Sequence, residues 1–277
     1  MKLARVAHAD GVHLARIDGD AAVLLARESG HPARDVLREA LSAGVDLHGG
    51  GPTVDAAAVR LLAPVVNPSK ILCIGLNYAD HARESGAEPP SAPVVFGKTP
   101  NTIVGPGDPI VVRPGDTAQA DYEAELAVVI GRRAARITGD PFDVVLGYTA
   151  CNDVSARDAQ FADGQWLRGK SYDTFCPLGP WVVTRDEIAD PQSLGIGCDV
   201  SGERLQDSTT AEMIFGVGEL VTYLSRFLTL EAGDVIATGT PSGVGFARTP
   251  PRFLAPGDEV TVRIEGVGEL TNPVKGG

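Results

Sequence analysis

Three acids pose the first chemical question. In the stretch "ADYEAELAVVIG", residues 120 to 131, Asp121, Glu123 and Glu125 alternate with Tyr122, Ala124, Leu126, Val128 and Ile130. An extended chain sends successive side chains to opposite faces, so the acids share one face and the apolar residues the other. At a rise of ~3.3 Å per residue Glu123 and Glu125 project ~6.5 Å apart, and at an effective dielectric of ~20 two such carboxylates repel by about 2.5 kcal/mol. A divalent cation between them reverses that sign. An all-oxygen donor set with no neighbouring His or Cys suits Mg²⁺, Mn²⁺ or Ca²⁺ better than zinc. On this stretch alone, an edge strand with a solvated acidic face stands beside the metal reading.

Three further stretches carry candidate chemistry. "YTACNDVSARD" places Asp153 after an apolar run and at the head of a polar helical segment, where it could join the acids from a neighbouring strand end. The same position fits a helix N-cap, a role open to Asn152, Asp153 and Ser155 alike. In "DHARE", His81 and Glu84 are three apart, which on a helix sets them on one face within reach of each other. A carboxylate bonded to one imidazole nitrogen orients the ring and leaves the other nitrogen to accept a proton from water. An ordinary surface pair has the same spacing. "GQWLRGKS", residues 164 to 171, matches the phosphate-binding pattern G-x-x-x-x-G-K-[ST]. A working phosphate loop needs a strand before it and a helix after it, so that a helix N-terminus faces the phosphates. Here polar "SARDAQFAD" precedes, and Pro177, Gly179 and Pro180 forbid a following helix. Nucleotide binding is set aside, and Lys170 is kept as a partner for a substrate carboxylate or enolate.

The elements that must position these groups are short. The chain has 277 residues, 43% of them hydrophobic, enough for one large domain or a large and a small one. No run approaches the ~20 apolar residues that span a bilayer, and the first twenty residues lack an apolar signal core, so no membrane role and a cytoplasmic location are expected. Thirty-six acids against twenty-four bases give a net charge of -12, which repels phosphate backbones and argues against a nucleic-acid partner. Cys73, Cys151, Cys176 and Cys198 are widely spaced and read as buried free thiols. Thirty-three glycines and twenty prolines without a repeat imply many tight turns between short strands. "KLARVA", "VHLARI" and "AAVLLA" read as strands and "ARDVLREALSAG", residues 33 to 44, as a helix with a Gly stop. Pro64 and Pro68 then flank a boundary, giving a small N-terminal α/β domain over 1–66 and the functional domain over 67–277. Beyond it come "KILCIGLNY", "VVFGK", "DPIVVRPG", "DVVLGYTACN", "LGPWVVT", "LGIGCDVSG", a helix in "MIFGVGELVTYLSRFLTL", then "GDVIATGTPSGVG" and "GDEVTVRIEGVGEL". Without regular strand and helix alternation, the fold expected is α+β, mainly β.

"GLNYADHARESG", "DYEAELAVVIG", "GYTACNDVSARDAQ", "GKSYDTFCPLGPWVVT" and "GDVIATGTPSGVG", in this order, resemble the fumarylacetoacetate hydrolase family from about Lys70 to about Val262. The resemblance implies that family's mixed β-sandwich or β-roll catalytic domain. It implies Mg²⁺ or Mn²⁺ held by Glu123, Glu125 and Asp153, and it leaves Asp121 outside the site. It implies that Arg157, Gln160, Lys170 and Thr240 contact the substrate, that His81 and Glu84 act as a dyad on a lid, and that the protein is a homodimer.

The activity so implied is metal-dependent cleavage of a carbon-carbon bond in a small 2,4-dioxo acid, acylpyruvate-like or derived from a sugar acid, through an enolate held on the metal. His81, oriented by Glu84, would activate the attacking water, and Lys170 and Gln160 would steady the enolate charge. The same site would serve an oxaloacetate decarboxylase or a 2-oxo acid isomerase. A binding protein without turnover would need a broken acid triad or dyad, and all five positions are intact.

Overall fold

The computed structural model describes residues 1–29 and 35–277. Its largest sheet runs, edge to edge, through Thr53–Asp55, Ala21–Arg27, Gly11–Asp18, Lys2–His8, Cys176–Thr184, Val145–Asn152, Ala124–Ile130, Val235–Ala237, Ile71–Gly75 and Val94–Lys98. Pairing is antiparallel except where Val235–Ala237 runs parallel to Ile71–Gly75 and Ile103–Val104 runs parallel to the start of Cys176–Thr184. A second sheet of five strands contains Gly195–Val200, Glu259–Ile264 and Gly268–Gly276. The architecture is α+β and mainly β, as the strand-rich pattern implies.

Alternation along Ala124–Ile130 explains how the layers meet. Ala124, Leu126, Val128 and Ile130 pack into one core with Ile196, Cys198, Val262 and Ile264 of the five-stranded sheet. Ala127 and Val129, on the other face, pack with Leu3, Leu14, Val36, Leu37 and Val65 from the N-terminal segment. The strand is therefore buried on both faces, with all seven residues inside.

The boundary expected at residue 67 falls between Arg60–Leu62 and Ile71–Gly75, and the large sheet runs across it. Lys2 and Leu3 pair with Val183 and Val182. Asp35 ties the same junction: it caps the helix Val36–Ala43 by accepting from Arg38 N, and its other oxygen accepts from Val66 N at 2.7 Å. Gly44 ends that helix in the left-handed conformation, as the Gly stop implies. Ala33 and Arg34, the first residues of the expected helix, lie outside the described residues. The helix expected in "MIFGVGELVTYLSRFLTL", residues 213 to 230, is shorter than that stretch and covers Val217–Ser225.

The phosphate-loop look-alike has a packing reason. Its residues form the short helix Leu167–Lys170, which packs on the helix Arg157–Asp163, and the strand Cys176–Thr184 follows. A Cβ on Gly169 would stand 2.6 Å from Gln160 N, so glycine is needed for close approach of the two helices and not for a phosphate. No helix among the described residues is long and apolar enough to cross a membrane. All four cysteines are free and buried.

Candidate active site

The acidic stretch is not one uninterrupted strand. Ala120–Asp121 pairs with Ser155–Ala156, the ladder breaks at Tyr122 and Glu123, and Ala124–Ile130 pairs with Val145–Asn152 and Val235–Ala237. Polar side chains take over at the break. Glu123 N donates to Asn152 Oδ1 at 3.0 Å, Ala124 N donates to Gln206 Oε1 at 2.9 Å, and Asp153 N donates to Glu123 O at 2.9 Å. These bonds bring Asp153 beside Glu123 across the strand pair. The solvated-edge reading of the acids is overturned, because the stretch is interior and Glu123, Glu125 and Asp153 are all buried. The N-cap reading of Asp153 fails too: the following helix is capped at Ala156, and both carboxylate oxygens of Asp153 face lysines.

One ligand atom from each of Glu123, Glu125 and Asp153 lies within 4.8 Å of the others. Lys170 Nζ donates to Glu123 Oε2 at 2.6 Å and to Asp153 Oδ2 at 2.8 Å, and Lys98 Nζ donates to Asp153 Oδ1 at 2.6 Å. Arg157 Nε donates to Asp121 Oδ2 at 2.8 Å and Nη1 to Gln160 Oε1 at 3.0 Å. Its Nη2 lies 2.6 Å from Glu123 Oε1, an ion pair too bent to count as a hydrogen bond. Thr240 Oγ1 accepts from Gln206 Nε2 at 2.8 Å.

The charges leave one acid over. Asp121, Glu123, Glu125 and Asp153 face three cations, Lys98, Arg157 and Lys170. Asp121 faces Arg157, Glu123 faces Arg157 and Lys170, and Asp153 faces both lysines. Glu125 has no cationic partner among the described residues, and its one donor is Gly239 N at 2.9 Å. Burial pushes the Glu125 carboxyl well above the usual range, and the charges of Asp153 and Glu123 push it further. Burial would raise Glu123 as well, but Lys170 and then Arg157 outweigh it and hold the carboxyl down at about 2. An unpaired buried carboxylate is costly unless a cation joins it. The three acids thus fit a hard divalent cation by donor type and by the charge that is missing.

A cavity of about 270 Å³ opens over this cluster. Glu123, Glu125, Arg157, Gln160 and Lys170 line it, as do His81 and Thr240. Asp153 lies behind Lys170, fully buried, and Glu84 sits outside the cavity, so of the nine residues singled out in the sequence seven reach the cavity wall. Apart from Ser85 the rest of the wall is apolar, with Phe96 and Trp166 in edge contact at one place and Phe161 and Phe246 at another.

His81 is placed by the helix Ala79–Glu84. Its Nδ1 lies 3.3 Å from Glu84 Oε2, and Nε2 has no partner among the described residues. Glu84 is itself fixed, since both of its oxygens accept from Gly243 N at 2.9 and 3.0 Å. Asp80 accepts from Ser208 Oγ and Ser242 Oγ, and Asn77 bonds Phe215 and Thr238 at the entry to the helix. The dyad helix is therefore anchored to three separate segments.

Sequence reasoning missed two members. Asp121, set outside the site, is fully buried and accepts from Tyr122 N and Gly245 N on one oxygen and from Phe246 N and Arg157 Nε on the other. It joins Arg157 to the turn that carries Phe246, whose ring lies 4.5 Å from the guanidinium carbon. Lys98, at the end of "VVFGK", is fully buried on Asp153 and Val154 O. The available signal was a lysine closing an apolar strand with no acid nearby in sequence.

With this geometry in hand the chain belongs to the fumarylacetoacetate hydrolase family: the family model described as "Fumarylacetoacetate (FAA) hydrolase C-terminal" matches residues 70–275. Among curated relatives, a mitochondrial oxaloacetate tautomerase from Rattus norvegicus is 47% identical over 249 residues, covering 89% of this chain and 77% of that protein. Among solved structures, a fumarylacetoacetate hydrolase from Exiguobacterium antarcticum matches all of both chains at 41% identity and a TM-score of 0.86. A 5-carboxymethyl-2-hydroxymuconate delta-isomerase from Mycobacterium smegmatis matches at 40% identity and a TM-score of 0.82, covering 100% of this chain and 99% of that one.

Proposed function

We propose that this protein catalyses proton transfer at the carbon beside the oxo group of a small 2-oxo diacid, the chemistry of an oxaloacetate tautomerase, with Mg²⁺ or Mn²⁺ held by Glu123, Glu125 and Asp153. The observation that carries this reading is the placement of His81. Its ring lines the same cavity as Glu123 and Glu125, one nitrogen held by Glu84 and the other unpartnered among the described residues.

The cation, when bound, supplies electrophilic stabilisation of negative charge on the 2-oxo oxygen. Arg157 and Gln160 hold the substrate carboxylate. Lys170 has three N–H donors and uses two on Glu123 and Asp153, so the third can meet oxygen charge as it develops. His81 Nε2 takes the proton from the carbon, and Glu84 steadies the imidazolium that results. The imidazolium N–H exchanges with solvent and a proton then returns from it to oxygen or carbon, so the step is balanced without a co-reactant. A positioned base of this kind contributes ~10² to 10⁴ in rate. The relatives named a tautomerase and a delta-isomerase support this reading, since both names describe movement of a proton without hydrolysis.

Hydrolysis of a 2,4-dioxo acid is the second reading. It is favoured by the same free nitrogen of His81, which could deprotonate a water, and by likeness to a fumarylacetoacetate hydrolase. Exchange of the C3 protons of oxaloacetate into D₂O, followed by NMR with Mg²⁺ and with excess chelator, tests the first reading. Pyruvate release from acylpyruvates tests the second, and carbon dioxide release from oxaloacetate reports decarboxylation. Acylpyruvate cleavage without accelerated exchange would replace the tautomerase reading, and full activity in chelator would remove the metal from both.

A further inference from the structure

We propose that Trp166 limits the substrate chain length of this cavity, favouring short 2-oxo acids such as a four-carbon diacid over longer ones. The inference rests on the function proposed above and names its substrate class.

The indole is built into the wall. Its benzo ring lies on the backbone of Gly75, at the end of the strand Ile71–Gly75: a Cβ there would stand 2.4 Å from Cζ3 and 2.9 Å from Cη2. Any side chain at position 75 would displace the ring, so the glycine is what lets it reach this far in. Phe96 supports it in a T-shaped contact at 5.1 Å. Trp166 also precedes the short helix Leu167–Lys170, and its carbonyl accepts from Lys170 N at 3.1 Å. The ammonium of Lys170 lies 5.1 Å from the Phe96 ring centre. The indole therefore stands beside the cation that meets the substrate oxygens, and an arm reaching past Lys170 along this wall runs into it.

The wall sets the limit. A methylene added to a substrate arm that faces this wall needs space that the indole and Phe96 now fill, and one methylene misfitted in an apolar pocket changes kcat/KM ~10-fold or more.

The test uses wild type, Trp166→Ala and Trp166→Phe, each checked for folding by its melting temperature, with Mg²⁺ present. Two ratios are measured. One is kcat/KM for C3 proton exchange of 2-oxoadipate relative to oxaloacetate; the other is the calorimetric affinity of N-butyloxamate relative to oxamate, two 2-oxo acid mimics that have no exchangeable C3 proton. Trp166→Ala is expected to raise both long-to-short ratios ~10-fold or more, and Trp166→Phe to raise them less. If Trp166→Ala does not fold, Trp166→Phe carries the test in the same direction. Equal losses for long and short ligands, with the ratios unchanged, would mean that the indole only supports the Lys170 helix, and the proposal would be overturned. Absence of exchange by wild type on every 2-oxo acid, with the oxamate ratio still shifted, would refute the tautomerase reading and leave the length limit standing.

Discussion

Replacing Asp121 by Asn is the sharpest test of how this site is held. Asn keeps the shape and one acceptor oxygen, so Tyr122 N and Gly245 N can retain their partner. Its amide nitrogen must then face Phe246 N and Arg157 Nε, which are both donors. Arg157 keeps Glu123 and Gln160 but loses one of its two carboxylate partners while remaining buried. Breaking a buried ion pair by changing one partner costs about 3–5 kcal/mol, and the retained contacts place this case at the low end. At ~2–4 °C per kcal/mol for chains of this size class, the melting temperature should fall by roughly 6–12 °C. Calorimetry on the metal-loaded protein gives the shift directly, and KM for the oxo acid should rise more than kcat falls, since in the proposed function Arg157 binds the carboxylate. A melting temperature within about 1 °C of wild type would refute the view that Asp121 anchors Arg157 and the Gly245–Phe246 turn.

Other outcomes follow from the same geometry. Glu125 has its folded-state carboxyl raised above 4.5, so its protonated form is favoured by the metal-free fold. The metal-free protein should accordingly lose stability as pH rises from the ordinary carboxylate range through the raised value. The metal should bind more tightly across the same window and displace a proton; calorimetry in buffers of different ionisation enthalpy reads that proton, and pH-independent affinity would contradict the assignment. Glu123→Ala should abolish metal binding, measured by equilibrium dialysis, while Lys170 keeps Asp153 as its partner. His81→Ala should leave metal binding unchanged and lower the rate of C3 exchange by ~10² or more. Gly169→Ala should destabilise the fold, because its Cβ would meet the Gln160 backbone at 2.6 Å, where no side-chain rotation relieves the clash; an unaltered melting curve would show that the two helices part easily.

Much of the fold was legible because it depends on local pattern. Turn residues between short apolar runs point to a strand-rich α+β chain, and Gly44 marks the end of the first described helix at the sequence level, whereas its start at Asp35 came only from the structure. The extent of the N-terminal unit was less legible. Its strands look self-contained in the sequence, yet Lys2–His8 pairs with Cys176–Thr184 through Lys2 with Val183 and Leu3 with Val182, residues 181 and 179 positions apart. Nothing in either segment names the other.

The site divides along the same line. Residue types and spacing determined by themselves that Glu123 and Glu125 share a face, that His81 and Glu84 can meet, and that an all-oxygen set favours a hard cation. Tertiary structure decided the charges around them. Asp121 looks like a third member of an acidic face, but the break at Tyr122 and Glu123 turns it toward Arg157 and two backbone amides. Lys98 looks like the end of a strand, but the pairing of Ile71–Gly75 with Val94–Lys98 delivers its ammonium to Asp153. Which carboxylate is left without a cation is a sum over segments from residues 98 to 170, and only their packing shows that it is Glu125. Local chemistry is written in short stretches, whereas the electrostatic balance of a buried site depends on every charge that folding brings within a few ångströms.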